Sequence, residues 1–117
     1  MGTPFYMSPE QLKNFKRTDQ RADIFSLGVV NYYLISERFP FLKPGEIKNS
    51  VSINDYLGRL KRLHPTPLID YADKKHQITP ELNDIAMMAI NPNPEKRYQL
   101  MIDYAERLRE YVRQIKR

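Results

Sequence analysis

Between Ile24 and Ile35 the chain carries an almost unbroken apolar run, interrupted only by Ser26, Gly28 and Asn31. A helix with so little polar surface has no side to turn to water, so this run must be surrounded by protein. Its β-branched and aromatic members, Val29, Val30, Tyr32 and Tyr33, would also suit a strand, and periodicity does not separate the two. Length favours a helix. Thr18 or Asp19 can accept a bond from a free first-turn amide, which sets a central buried helix over about Gln20 to Ser36.

The remaining elements must wall that helix in. Ser8, with Pro9 after it and Gln11 three residues on, has the capping-box arrangement and predicts a short helix from Pro9. Two prolines and a glycine make Phe39 to Gly45 turn-rich, with the phenylalanines tucked back onto the core and a loop running on to about Ser52. Ile53, Tyr56, Leu57, Leu60 and Leu63 then fall at helical spacing, with Arg59, Lys61 and Arg62 outward. His64 to Ile78 reads as an irregular exposed loop. Thr79-Pro80-Glu81 supplies cap, proline and first-turn acid for a helix whose apolar face is Leu82, Ile85, Ala86, Ala89 and Ile90. Asn91-Pro92 ends it. A last helix, about Gln99 to Ile115, presents Met101, Tyr104, Ala105, Leu108, Tyr111, Val112 and Ile115, with Asp103–Arg107 and Glu110–Arg113 spaced to pair on its wet side. The predicted fold is therefore mainly α.

Composition narrows the function. With 41% apolar and 28% charged residues the chain is an ordinary globular one, and at 117 residues its core is small enough that a missing neighbour would leave apolar surface exposed. No cysteine is present, and His64 and His76 are too few and too isolated for a metal cluster. A net charge of +5 admits an acidic partner, but the basic residues alternate with acids, and the densest cluster, Arg59, Lys61 and Arg62, suits a solvated helix face better than nucleic acid. No apolar stretch reaches membrane-spanning length, and the N-terminus lacks the pattern of a signal peptide, so a cytoplasmic location is expected.

Four local strings, in order, then carry a resemblance. They are Gly2-Thr3-Pro4-Phe5-Tyr6-Met7-Ser8-Pro9-Glu10, Asp23-Ile24-Phe25-Ser26-Leu27-Gly28, Phe39-Pro40-Phe41, and Asn91-Pro92-Asn93-Pro94-Glu95-Lys96-Arg97. Together they resemble the C-terminal part of the large, helical lobe of eukaryotic-type Ser/Thr protein kinases. The resemblance implies that residues 1–117 form a partial kinase domain, running from the end of the activation segment through the last helix. It places Gly2, Thr3, Pro4 and Tyr6 on the substrate-facing loop, with Thr3 bonded to the catalytic loop and helping to place the acceptor hydroxyl. Serine stands at Ser8 where the family has alanine. Glu10 would pair with Arg97, a structural bidentate contact. Asp23 would bond backbone amides of the catalytic loop, and Gly28 would allow a close approach. Phe25 replaces the usual tryptophan, and Tyr98 a frequent proline.

The family holds ATP and Mg2+ with a glycine-rich loop, a strand lysine, a helix glutamate, a His-Arg-Asp loop and an Asp-Phe-Gly site. None of these motifs occurs in the 117 residues, which hold four glycines and no Gly-x-Gly. ATP and Mg2+ are thus implied only for a complete parent kinase, along with its protein substrate, and this chain alone is expected to hold no cofactor or metal and to be inactive. Gene truncation, a misplaced start codon or deliberate excision would each explain such a fragment. The alternative is a non-catalytic interaction module on a kinase-like helical scaffold. It would associate with itself or another protein through central-helix residues expected to be partly exposed, namely Phe25, Val29 and Tyr33.

Overall fold

The computed structural model describes residues 4–14, 18–42, 51–62, 64–71 and 78–116. Among the described residues five helices follow in order: α1 (Pro9–Lys13), α2 (Gln20–Ser36), α3 (Ile53–Arg62), α4 (Pro80–Ala89) and α5 (Met101–Ile115). Short 3-10 turns occupy Pro4–Tyr6, Leu68–Tyr71 and Pro94–Lys96. No strand occurs among the described residues.

Local chemistry accounts for most of the helix starts. Ser8 Oγ accepts from the Gln11 amide at 3.3 Å while the Gln11 side chain accepts from the Ser8 amide at 2.9 Å, closing the capping box of α1. Asp19 caps α2 through the Arg21 amide at 2.8 Å, and Thr79 caps α4 through the Leu82 amide at 3.1 Å. At its other end α2 stops at Glu37, which adopts the left-handed conformation at φ 60°. α5 has no such side-chain cap of its own at Leu100. Its first amide, Met101, is instead held by Gln20 Oε1 of α2 at 2.8 Å.

α2 lies between two apolar clusters. On one side Phe25, Val29 and Tyr32 pack with Phe5, Phe39, Phe41, Tyr56, Leu60 and Leu68. On the other, Ile24 meets Ile85, Ala89, Tyr98, Tyr104 and Tyr111. Phe39, Pro40 and Phe41 tuck back onto the core after α2 as expected, since all three are buried. Gly28 sits where α2 crosses α4: a Cβ added there would lie 2.8 Å from Ala89 Cβ and 2.9 Å from Ile90 Cγ2. Glycine is therefore required by packing at that crossing.

Several expectations are corrected. The central helix is not enclosed: Leu27, Val30, Tyr33 and Leu34 are exposed, Leu34 to 69%. Phe25 and Val29, expected to be partly exposed, are fully buried, and only Tyr33 of that trio reaches solvent. Roughly half of a folded surface is apolar in any case, so an apolar run does not by itself fix which of its residues are buried. On α5, Ala105, Val112 and Ile115 are exposed, so its buried stripe narrows to Tyr104 and Tyr111, with Met101 and Leu108 half-buried. Arg107 pairs with Glu81 of α4 at 3.2 Å rather than with Asp103, while Glu110 and Arg113 lie 3.8 Å apart as spaced. Arg59 is half-buried and donates to the Phe41 carbonyl at 3.2 Å. The expected loop over residues 43–50, Leu63, His76 and the side chains of Lys61 and Arg62 lie outside the described residues.

Candidate functional site: the Glu10–Arg97 anchor

Arg97 follows the Pro94–Lys96 turn and is 1% exposed, which makes it the largest fully buried side chain described. A guanidinium has five N–H donors and no acceptor, so burial demands a partner for each. All five are used. Nε donates to the Asn91 carbonyl at 2.6 Å, and Nη1 to Glu10 Oε2 at 2.5 Å and the Arg21 carbonyl at 3.0 Å. Nη2 donates to Glu10 Oε1 at 2.7 Å and the Pro92 carbonyl at 3.2 Å. The guanidinium carbon also lies 4.9 Å from the centroid of the Phe25 ring. Phenylalanine at that position therefore supplies a π face for the buried cation.

The proline-asparagine stretch explains how two of these carbonyls are aimed. Asn91 Oδ1 accepts from the Asn93 amide and Asn93 Oδ1 from the Glu95 amide, each at 3.0 Å, so consecutive side chains brace the turn. Proline has no amide to compete for them. Burial pushes the Glu10 carboxyl up, but the Arg97 hydrogen bond, a bond to its own backbone and the Arg97 charge outweigh it and hold the group below its ordinary 4.5. The pair thus stays ionised, joining the first described helix to the start of α2 and to the 91–97 turn.

Beside this anchor is a contact set that the sequence reading did not contain. Arg21 Nη1 donates to Glu95 and to Gln99, both at 3.1 Å, while its Nε is held by Asp19. Gln99 Nε2 donates back to the Arg97 carbonyl at 2.8 Å. Arg21 and Gln99 lie 78 positions apart and belong to no local motif. Only their polarity flanking an apolar helix and an asparagine-proline turn marked them.

The other sequence-derived residues divide. Tyr6 is half-buried, its ring 5.4 Å from Phe39 and nearly perpendicular to it. Pro4 opens the first 3-10 turn, and Gly2 and Thr3 lie outside the described residues. Asp23 is exposed on α2, and its side chain has no hydrogen bond or ion pair among the described residues. No group of histidine, aspartate and glutamate able to hold a metal occurs among them, and no described helix is long and apolar enough to cross a membrane.

A mainly helical lobe whose opening segment is stapled by a carboxylate–guanidinium pair to the turn before the last helix defines a class: the helical lobe of protein kinases. The chain belongs to the protein kinase family, whose "Protein kinase domain" profile matches residues 1–108. It is 33% identical over 100 residues to the serine/threonine-protein kinase PknB of Mycolicibacterium smegmatis, covering 85% of this chain and 14% of that kinase. To the serine/threonine-protein kinase PknD of Chlamydia trachomatis it is 30% identical over 112 residues, 96% of this chain and 11% of the relative. A probable serine/threonine-protein kinase of Clostridium perfringens is 33% identical over 99 residues, covering 85% and 13%. The chain thus corresponds to a fragment, spanning about a seventh or less of the length of these relatives.

Proposed function

We propose that residues 1–117 act as the acceptor-facing helical part of a Ser/Thr protein kinase domain, positioning a protein substrate rather than transferring phosphate on their own. The observation that carries this reading is the Glu10–Arg97 pair, which anchors the segment after residues 2–6 to the body of the lobe. Phosphoryl transfer needs the acceptor hydroxyl held in line with the γ-phosphate, and a loop can do that only if its end is fixed. In this reading Gly2, Thr3, Pro4 and Tyr6 border the acceptor, and Thr3 braces the base that takes the hydroxyl proton. Asp23, free on the α2 surface, bonds amides of the catalytic loop in a complete kinase, where ATP and Mg2+ are also held. A cytoplasmic location accords with use of ATP.

Two measurements test this. Purified chain incubated with labelled ATP, Mg2+ and a protein acceptor should incorporate nothing above a blank; incorporation would overturn the inactive-alone reading. A chimera in which this chain replaces the matching hundred residues of the mycobacterial PknB should phosphorylate serine or threonine. Thr3→Ala in it should lower kcat/KM by roughly ten- to a hundredfold through misplacement of the acceptor. A folded, active chimera indifferent to that change would remove Thr3 from the proposed role.

A second reading is favoured by one observation, the exposure of Leu27, Val30 and Leu34 along α2. In it the lobe is an interaction module and this stripe takes a protein partner or another copy of the chain. Binding of an apolar fluorescent dye that is lost in Leu27→Glu/Leu34→Glu supports the stripe as an accessible surface. Lack of dye binding by a monomeric chain counts against it.

A further inference from the structure

Glu10 holds the segment after the Pro4–Tyr6 turn, but it lies four positions beyond Tyr6, and a chain fastened at one end keeps the freedom to swing. A second hold lies on the other side, at Phe5. That side chain is buried, its ring edge-on to Tyr56 of α3 with centroids 4.7 Å apart and 5.7 Å from the ring of Phe39. Tyr56 is itself fully buried, and its hydroxyl donates to the Phe5 carbonyl at 3.4 Å. Ring and backbone of one residue are therefore gripped by one side chain. Tyr56 in turn projects from a braced first turn of α3, where Ser52 Oγ accepts from the Asp55 amide at 3.1 Å and the Ser52 carbonyl from the Tyr56 amide at 2.9 Å.

The two holds meet in one frame. Tyr56 packs edge-on to Phe41 at 6.2 Å, and Phe41 stacks with Phe25 at 6.4 Å. The Phe25 ring centroid lies 4.9 Å from the guanidinium carbon of Arg97, which grips Glu10. A continuous row of side chains thus runs from one end of residues 5–10 to the other. Close packing makes such a row resist deformation, so both ends of the segment are referred to the same rigid body. We propose that Tyr56 is a positioning residue for the phosphoryl acceptor, acting through Phe5: with Glu10 it fixes the orientation of the Pro4–Tyr6 turn, and so where the substrate protein's hydroxyl sits. This rests on the acceptor-facing reading of residues 2–6. Being fully buried, Tyr56 does not meet substrate itself; its loss loosens the acceptor's seat and leaves that of ATP alone.

Two readouts test the proposal. In the chain alone, chymotrypsin cleavage after Phe5 or Tyr6 reports local release of the turn, so it decides the hold on Phe5 whether or not a chimera is active. Tyr56→Phe, which deletes only the donor, should speed that cleavage about three- to tenfold with an unchanged circular dichroism spectrum. In the PknB chimera, Tyr56→Phe and, without touching α3, Phe5→Leu should each lower kcat/KM for the protein acceptor about three- to tenfold while KM for ATP stays constant. Unchanged cleavage overturns the hold on Phe5. Faster cleavage with acceptor kinetics unmoved, in a chimera that Thr3→Ala impairs, overturns the positioning role and leaves the acceptor-facing reading standing. Kinetics unmoved by both Thr3→Ala and Tyr56→Phe overturn that reading and this role with it. A KM for ATP that rises in step would mark a general loss of structure and also overturn the role.

Discussion

Arg97 is buried with every donor used, so removing its carboxylate partner strands a cation that the fold has already taken from water. Glu10→Ala should cost about 2 to 4 kcal/mol, somewhat under the value for a fully buried pair because Glu10 keeps some solvent contact. Denaturant unfolding measures it, and a loss below about 0.5 kcal/mol would contradict the anchor. Since the folded Glu10 carboxyl lies below its ordinary 4.5, its contribution is fully present above that pH and is lost as pH falls through the lower folded value. The acid limb of the stability profile should therefore flatten in Glu10→Ala. Tyr71 offers the opposite case, with a buried hydroxyl that has no hydrogen-bond partner among the described residues. Tyr71→Phe deletes that oxygen and should leave stability unchanged or raise it by up to about 1 kcal/mol, read as the thermal midpoint.

At the scale of elements, α2 and α4 approach so closely that Gly28→Ala should destabilise by about 1 to 3 kcal/mol despite alanine's better helix propensity. A gain in thermal stability would show that the crossing relaxes freely. α5 and the segment leading into it are docked by phenols. Tyr98 donates to the Ile85 carbonyl at 3.0 Å, Tyr104 accepts from Asn31 at 2.8 Å, and Tyr111 shares a 2.7 Å bond with the Thr79 cap. Burial pushes Tyr98 up to about 12 and also raises Tyr104. Their neutral forms stabilise the fold fully below pH 10, and this is lost as pH rises from 10 through 12 for Tyr98. Alkaline unfolding followed by phenolate absorbance should start above pH 10 in the wild type and move in Tyr98→Phe; titration of all tyrosines near 10 would contradict it. The starts of α1, α2 and α4 were legible because caps act within three residues, as at Ser8, Asp19 and Thr79. Which side of α2 is buried was not, because its apolar residues face both ways. Nor could the tyrosine contacts be read, since each joins positions remote in sequence.

Across the whole molecule, the anchor was visible before the structure because two kinase-like strings named both ends of it. The residues around it were hidden, since Arg21, Glu95 and Gln99 meet only once the chain has folded. The same long-range logic governs how the molecule comes apart. α5 lacks a cap of its own, and Gln20 of α2 supplies it across 81 positions. The first turn of the last helix therefore cannot fray alone while α2 holds its own start. Under native-state hydrogen exchange the Met101 amide should open together with the α2 core amides, as one cooperative unit, and Gln20→Ala should release it to the fast exchange of a loose helix end.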